Sequence, residues 1–370
     1  MDLHAQYISG FPVINNKYHK TNTRENLLSM NKVIMYMMVG CALPVYSAAE
    51  PSEQACIFFH GLGGDSSHMD LYTQEGILPK NCQCFDSPEV TNGGFRAAVF
   101  AQQPAVDAAI AKIKTIPTKK LYGYGISQGG GSIITTAADL AEQQATHNIH
   151  NPDMPKRFEA IVCEAPFADP HVVFYEHQHA TPLRYICGGS TLLRGITKCI
   201  FPKYNPYSRT PIQKVSSIDK ETAILFVAAE NDQLIRCYSN TLALYMKLKK
   251  EGRNNVYLCT TPTGDHILPG ATFSSPTARE VISAFYNRYG FNTGYNFPPE
   301  ILNEKDGNGN LKYQPSIEDV SKKVRALRGT LFPALEFTGR LLTGSYIAYR
   351  MARAMSPHII SLAQRIIRSR

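Results

Sequence analysis

Five short runs of apolar residues stand out along the chain: ACIFFHGLGG from Ala55, KLYGYGIS from Lys120, FEAIVCEAPF from Phe158, TAILFVAAEND from Thr222 and NVYLCTTPTGDH from Asn255. They are mostly continuous rather than alternating, which is the pattern of strands covered on both faces. Between them lie helical patterns: QPAVDAAIAKIKTI (103–116), SIITTAADLAEQQ (132–144) and SNTLALYMKLKKEG (239–252). The last ends on lysines and a glycine, as a helix C-terminus should. Apolar strands alternating with amphipathic helices predict an α/β class with a mostly parallel sheet flanked by helices.

One interval breaks this rhythm. Residues 167–217 are rich in Pro, Tyr, His and Gly without a clear strand. Some fifty residues are long for a plain crossover and read as a cap inserted over the C-terminal edge of the sheet. Residues 303–327, beginning NEKDGNGNLKYQPS, read as a polar linker, so the folded domain is expected over 50–302. A basic amphipathic tail follows at 328–370.

Composition changes this picture little: 44% hydrophobic and 18% charged residues over 370 positions describe an ordinary folded protein. The formal charge of +8 does matter, because of where it sits. Residues 328–370 hold seven Arg and no Lys against one acid, Glu336, so the remainder is nearly neutral. No nucleic-acid groove is expected on the main domain, and an anionic partner belongs at the tail. There, Arg mixed with Leu, Ile, Met and Tyr and broken at Pro357 fits a helix packed on the domain, a membrane-surface contact or a targeting element.

Near the other end, MNKVIMYMMVGCALPVYSAAE (30–50) has a lysine, an apolar run and then small residues. It reads as a secretory signal peptide over 30–49, with residues 1–29 as a mis-assigned extension. The run is short for a spanning helix, which needs about 20 apolar residues. A lipid anchor through Cys41, or a buried or membrane-associated helix, are the alternatives. Removing Cys41 leaves eight of nine cysteines, an even number that suits disulfides in an oxidising compartment. Cys187 and Cys199 flank a loop-rich stretch and form the best candidate pair, whereas Cys56, Cys163 and Cys259 sit in strand-like runs and read as buried thiols.

The chemistry centres on GYGISQGGGS, Gly123 to Ser132, where glycines crowd around one serine. Gly125-Ile126-Ser127-Gln128-Gly129 fits G-x-S-x-G between a strand and a helix, the setting of a nucleophile elbow. A serine hydroxyl needs a base, and the base an orienting acid. Asp232 lies just past the fourth apolar run and His266 just past the fifth, giving the order Ser127, Asp232, His266. Asp169, after the third run, is the rival acid, and Asp265 reads as a turn residue. Glu176, His177 and His179 could suggest a metal but have no second ligand cluster beside them. Asp306 opens a loop like a calcium site, yet Leu311 and Ile317 stand where an EF-hand needs Gly and Glu, so a solvated turn is expected. No metal and no cofactor is called for.

With those positions in order, residues 53–290 resemble the α/β-hydrolase family. GISQGG is similar to the elbow of carboxylesterases and of acyl-protein and palmitoyl-protein thioesterases, and HGLGG (60–64) resembles the oxyanion-hole loop. Family members often carry two further strands before that loop, whereas few residues precede Ala55 after cleavage, so a reduced sheet of about five or six parallel strands is expected, unless AQYISGFPVI near the N-terminus supplies another. The resemblance implies oxyanion donors at the backbone N–H of Leu62 and Gln128, with the Leu62 side chain incidental. Such donors are each worth about 3 to 4 kcal/mol of barrier. It further implies a serine hydrolase acting on a small-molecule or lipid acyl ester or thioester. The alternatives are a peptidase on the same fold and a non-catalytic ligand- or membrane-binding protein. The signal reading makes its own prediction: N-terminal sequencing of protein from its native host should find a start between Ala48 and Glu50, and an intact Met1 would refute export.

Overall fold

The computed structural model describes residues 52–330, apart from 63, 88–97, 148–156, 181–196, 200, 263, 265 and 267–275. The signal segment, Cys187, Asp265 and residues 331–370 of the tail lie outside the described residues. Six strands form one sheet in the order β2-β1-β3-β4-β5-β6. These are β1 (Ser52–Phe59), β2 (Gln83–Phe85), β3 (Thr118–Ile126), β4 (Phe158–Glu164), β5 (Ala223–Ala229) and β6 (Val256–Thr261), every neighbouring pair parallel. All five apolar runs are strands, and β5 is buried along its whole length. Three-residue β2 carries too little pattern to be read from sequence.

Helices cover both faces, as a parallel sheet requires. On one side lie α2 (Gln103–Lys114), α3 (Gln128–His147), α5 (Thr241–Lys250) and α7 (Ile317–Thr330), packing Ile113, Ile133, Leu244 and Val320 against Ile57, Ile161 and Phe226. On the other, α1 (Ser66–Gln74) and α6 (Pro276–Arg288) pack Tyr72, Val281 and Phe285 against Phe58, Tyr124 and Leu225. Alternate residues of each strand feed opposite cores, as in Ile57 and Phe58.

Two boundaries differ from expectation. Residues 303–327 are not a linker. Tyr313 is buried and its carbonyl accepts the N–H of Leu258 in β6 at 2.9 Å, while Val320 and Val324 of α7 join the main core. The folded domain therefore continues beyond residue 302 into α7. Its polar stretch does contain the expected turn, where Asp306 Oδ1 accepts the N–H groups of Asn308 and Asn310, both at 2.9 Å.

The second difference is in the 167–217 interval. It carries α4 (Pro170–Ala180), but the helical turns Pro211–Lys214 and Val215–Ser217 belong to the core side. Val215 is fully buried, Ile212 N–H donates to the Ala168 carbonyl, and Lys214 forms a buried ion pair with Asp139 of α3. Residues 211–217 therefore pack with the core rather than in an insertion. Among the described residues no disulfide forms, and Cys199 is an exposed free thiol.

If 303–330 were a linker, deleting it would leave stability unchanged. The packing of Tyr313, Val320 and Val324 predicts a loss of at least ~2 kcal/mol in denaturant unfolding, comparable to removing one large core side chain.

Candidate active site

The strand order reverses between β1 and β3: the chain steps outward from β1 to β2, then returns to place β3 on β1's other side. Such a switch point opens a crevice at the C-terminal ends of the strands. Ser127 follows β3 there, and the 60–64 loop follows β1 beside it.

Ser127 occupies the left-handed region with φ +55, which few non-glycine residues adopt. Two contacts hold it. Its N–H donates to the Glu164 carbonyl at the end of β4 (2.8 Å), and its carbonyl accepts from Gly131 in the first turn of α3 (3.2 Å). The glycines now have a reason. A Cβ on Gly129 would overlap the Phe59 carbonyl, and one on Gly125 would overlap the Gly129 carbonyl. The start of α3 can therefore lie against the end of β1 only without side chains.

Asp232 sits three residues beyond β5 and His266 five beyond β6. Their connections converge: His266 Nδ1 lies 2.8 Å from Asp232 Oδ2, and His266 Nε2 lies 2.8 Å from Ser127 Oγ. Asp232 is buried, and its Oδ1 accepts the N–H groups of Leu234 and Ile235, both at 2.8 Å. A carboxylate held this way is fixed in orientation. The network gives the ring nitrogens distinct roles, with the Nδ1 proton donated to Asp232 and Nε2 accepting the Ser127 hydroxyl proton. Asp169 stands apart, its Oδ1 accepting the N–H of His171 at 2.8 Å as α4 begins.

Gln128 begins α3, so its backbone N–H is one of those at the positive end of the helix that have no intrahelical acceptor. The facing loop is close, since a Cβ on Gly61 would meet Ser127 Cβ at 3.5 Å. His60, absent from the sequence reading as a site residue, organises this loop. Its buried ring lies 2.8 Å from the Gly61 carbonyl through Nδ1, while Nε2 accepts the Ser87 N–H at 3.4 Å. Those partners put the ring proton on Nδ1. The Leu62 side chain packs on a satellite cluster of Phe100, Phe167, Phe201, Tyr204 and Ile235, together with Phe174 from α4 and Leu234 from the Asp232 loop. Phe100 makes edge-on contacts with Phe174, Phe201 and Tyr204, with centroids 4.7–5.5 Å apart.

Glu176, once a metal candidate, lies 4.0 Å from Arg236, and burial pushes its carboxyl upward. The side chains of His177 and His179 are outside the described residues. Among the described residues no cluster of His, Cys, Asp and Glu could hold a metal ion.

A sequence profile of the prolyl oligopeptidase family matches residues 96–291, slightly over half of the chain. No curated protein matches the sequence significantly. Similar solved structures include a lipase-esterase related protein from Clostridium acetobutylicum (14% identity, 64% of this chain and 95% of that one, TM-score 0.34). An esterase from Pyrococcus furiosus is also similar (14% identity, 65% and 83%, TM-score 0.41). An acylaminoacyl peptidase from Pyrococcus horikoshii aligns over 73% of this chain but 40% of its own length (14% identity, TM-score 0.40).

The close approach of α3 to β1 predicts the behaviour of Gly129→Ala. It should cost about 1–3 kcal/mol of stability through overpacking and should depress turnover with it. Wild-type unfolding and turnover in that variant would contradict the described approach.

Proposed function

The chain belongs to the prolyl oligopeptidase family of α/β-hydrolases, and on that footing we propose that it cleaves an acyl ester or thioester through a covalent acyl-enzyme. The observation that carries this reading is the continuous hydrogen-bond chain Ser127 Oγ, His266 Nε2, His266 Nδ1, Asp232 Oδ2, with 2.8 Å at both links between residues. Ser127 Oγ attacks the acyl carbonyl while its proton passes to Nε2. Asp232 stabilises the imidazolium that results. The oxygen of the tetrahedral intermediate takes its charge against the N–H groups of Gln128 and Leu62, aided by the N-terminus of α3. His266 then returns the proton to the leaving oxygen or sulfur, and the acyl-enzyme remains on Ser127. Water, deprotonated by the same nitrogen, releases the acid.

One feature favours an ester or thioester over an amide: GISQGG is similar to esterase and thioesterase elbows. The family match favours a second reading, peptide hydrolysis by the same three residues. Comparing kcat/KM for an ester, a thioester and an amide of one acyl group separates them.

The assignment makes a ranked prediction. Ser127→Ala should abolish both turnover and fluorophosphonate labelling without loss of fold. Asp232→Asn should lower kcat by about 10³ to 10⁴, since the imidazole loses its tautomer and charge partner. Asp169→Asn should do far less, and a reversed order would move the acid role to Asp169.

A further inference from the structure

The reaction above leaves one buried carboxylate beside the nucleophile unused. Glu164 ends β4 and is fully buried. Its Oε2 accepts two phenol hydroxyls, from Tyr72 at 2.7 Å and from Tyr124 at 2.6 Å. Its backbone carbonyl accepts the N–H of Ser127 at 2.8 Å. The next residue, Ala165, has φ +44 and donates its N–H to the Val227 carbonyl at 2.7 Å. Left-handed backbone thus occurs on both adjoining strand ends, and Glu164 is bonded to each.

Packing alone gives no reason for a carboxylate here. Burying one costs more than burying an apolar side chain of similar volume, so an apolar residue would hold the same sheet at least as well. What the carboxylate adds is connectivity. Tyr72 belongs to α1, which starts right after the 60–64 loop and is capped by Asp65 accepting the Ser67 N–H at 2.9 Å. Tyr124 belongs to β3, three residues before the nucleophile. The two rings contact each other at 5.2 Å and both contact Phe58 of β1. Burial, then the neighbouring Glu164 charge, pushes the Tyr72 phenol upward, so it remains a donor.

We infer that Glu164 is a positioning residue: through Tyr72 and Tyr124 on one side and the Ser127 N–H on the other, it sets where the 60–64 loop stands relative to the Ser127 hydroxyl. The inference rests on Ser127 being the nucleophile. Its signature is kinetic. A donor in the loop meets negative charge only in the tetrahedral state, so displacing it lowers kcat and leaves substrate binding nearly unchanged.

The test uses the full chain with Glu164→Leu, Glu164→Gln and Tyr72→Phe, and a soluble p-nitrophenyl ester as substrate. Active sites are titrated with a fluorophosphonate so that unfolded protein does not count. Misplacement by about 1 Å costs on the order of 100-fold, so Glu164→Leu should lose roughly that in kcat with KM within about threefold. Tyr72→Phe, which removes one hydroxyl, should lose about 10-fold in kcat, and Glu164→Gln, which keeps an oxygen acceptor for both phenols, should recover to within about 10-fold of wild type. Should Glu164→Leu fail to fold, Tyr72→Phe decides alone. A kcat per titrated site within about threefold of wild type in the variants that fold, or a rise in KM at constant kcat, overturns the inference. So does a Glu164→Gln loss as deep as that of Glu164→Leu, which would make charge rather than acceptor geometry the cause. Wild type that neither labels nor turns over would instead overturn the nucleophile assignment beneath it.

Discussion

The left-handed backbone at Ser127 is the constraint on which the rest of this site depends. A non-glycine residue held there costs on the order of 1–3 kcal/mol and persists only where its surroundings over-determine it. Here they do, from three directions. β4 takes the Ser127 N–H, α3 takes its carbonyl, and the Gly129 backbone lies against the end of β1. Each support comes from a sheet neighbour or from the helix that follows, so the strand order β1-β3-β4 is as much a part of the site as the serine itself.

The same economy governs the polar groups. Two backbone N–H groups and His266 offset the cost of burying Asp232. His60 braces the facing loop through a carbonyl on one nitrogen and an amide on the other. The apolar cluster joins this framework to α4, since Leu62 and Leu234 pack with Phe174. A substitution among those rings would therefore be felt by the loop on each side of Ser127 as well as by α4.

Much of this was legible in the sequence because it is written locally. Strands buried on both faces appear as apolar runs, and the elbow needs its glycines at fixed offsets. Asp232 and His266 each stand shortly after a strand. What was illegible depends on distant partners. Glu164 reads only as one charge inside IVCEAPF until Tyr72 and Tyr124 are brought to it from two other elements. His60 gains its role from Ser87, and the Leu62 side chain from cluster residues scattered from Phe100 to Ile235. The helix α7 was hidden differently. Val320, Val324 and Leu327 do follow helical spacing, but charged neighbours and a polar preceding turn made the segment read as a linker.

The central claim is that Ser127 Oγ carries the acyl group between two half-reactions. Rapid acid quenching of the enzyme during turnover of a slowly hydrolysed ester, followed by intact mass and peptide mapping, tests it most directly. The account predicts a mass increase equal to the acyl group less one hydrogen, mapped to Ser127. An adduct on a different side chain, or sustained turnover with no adduct at any quench time, would contradict it.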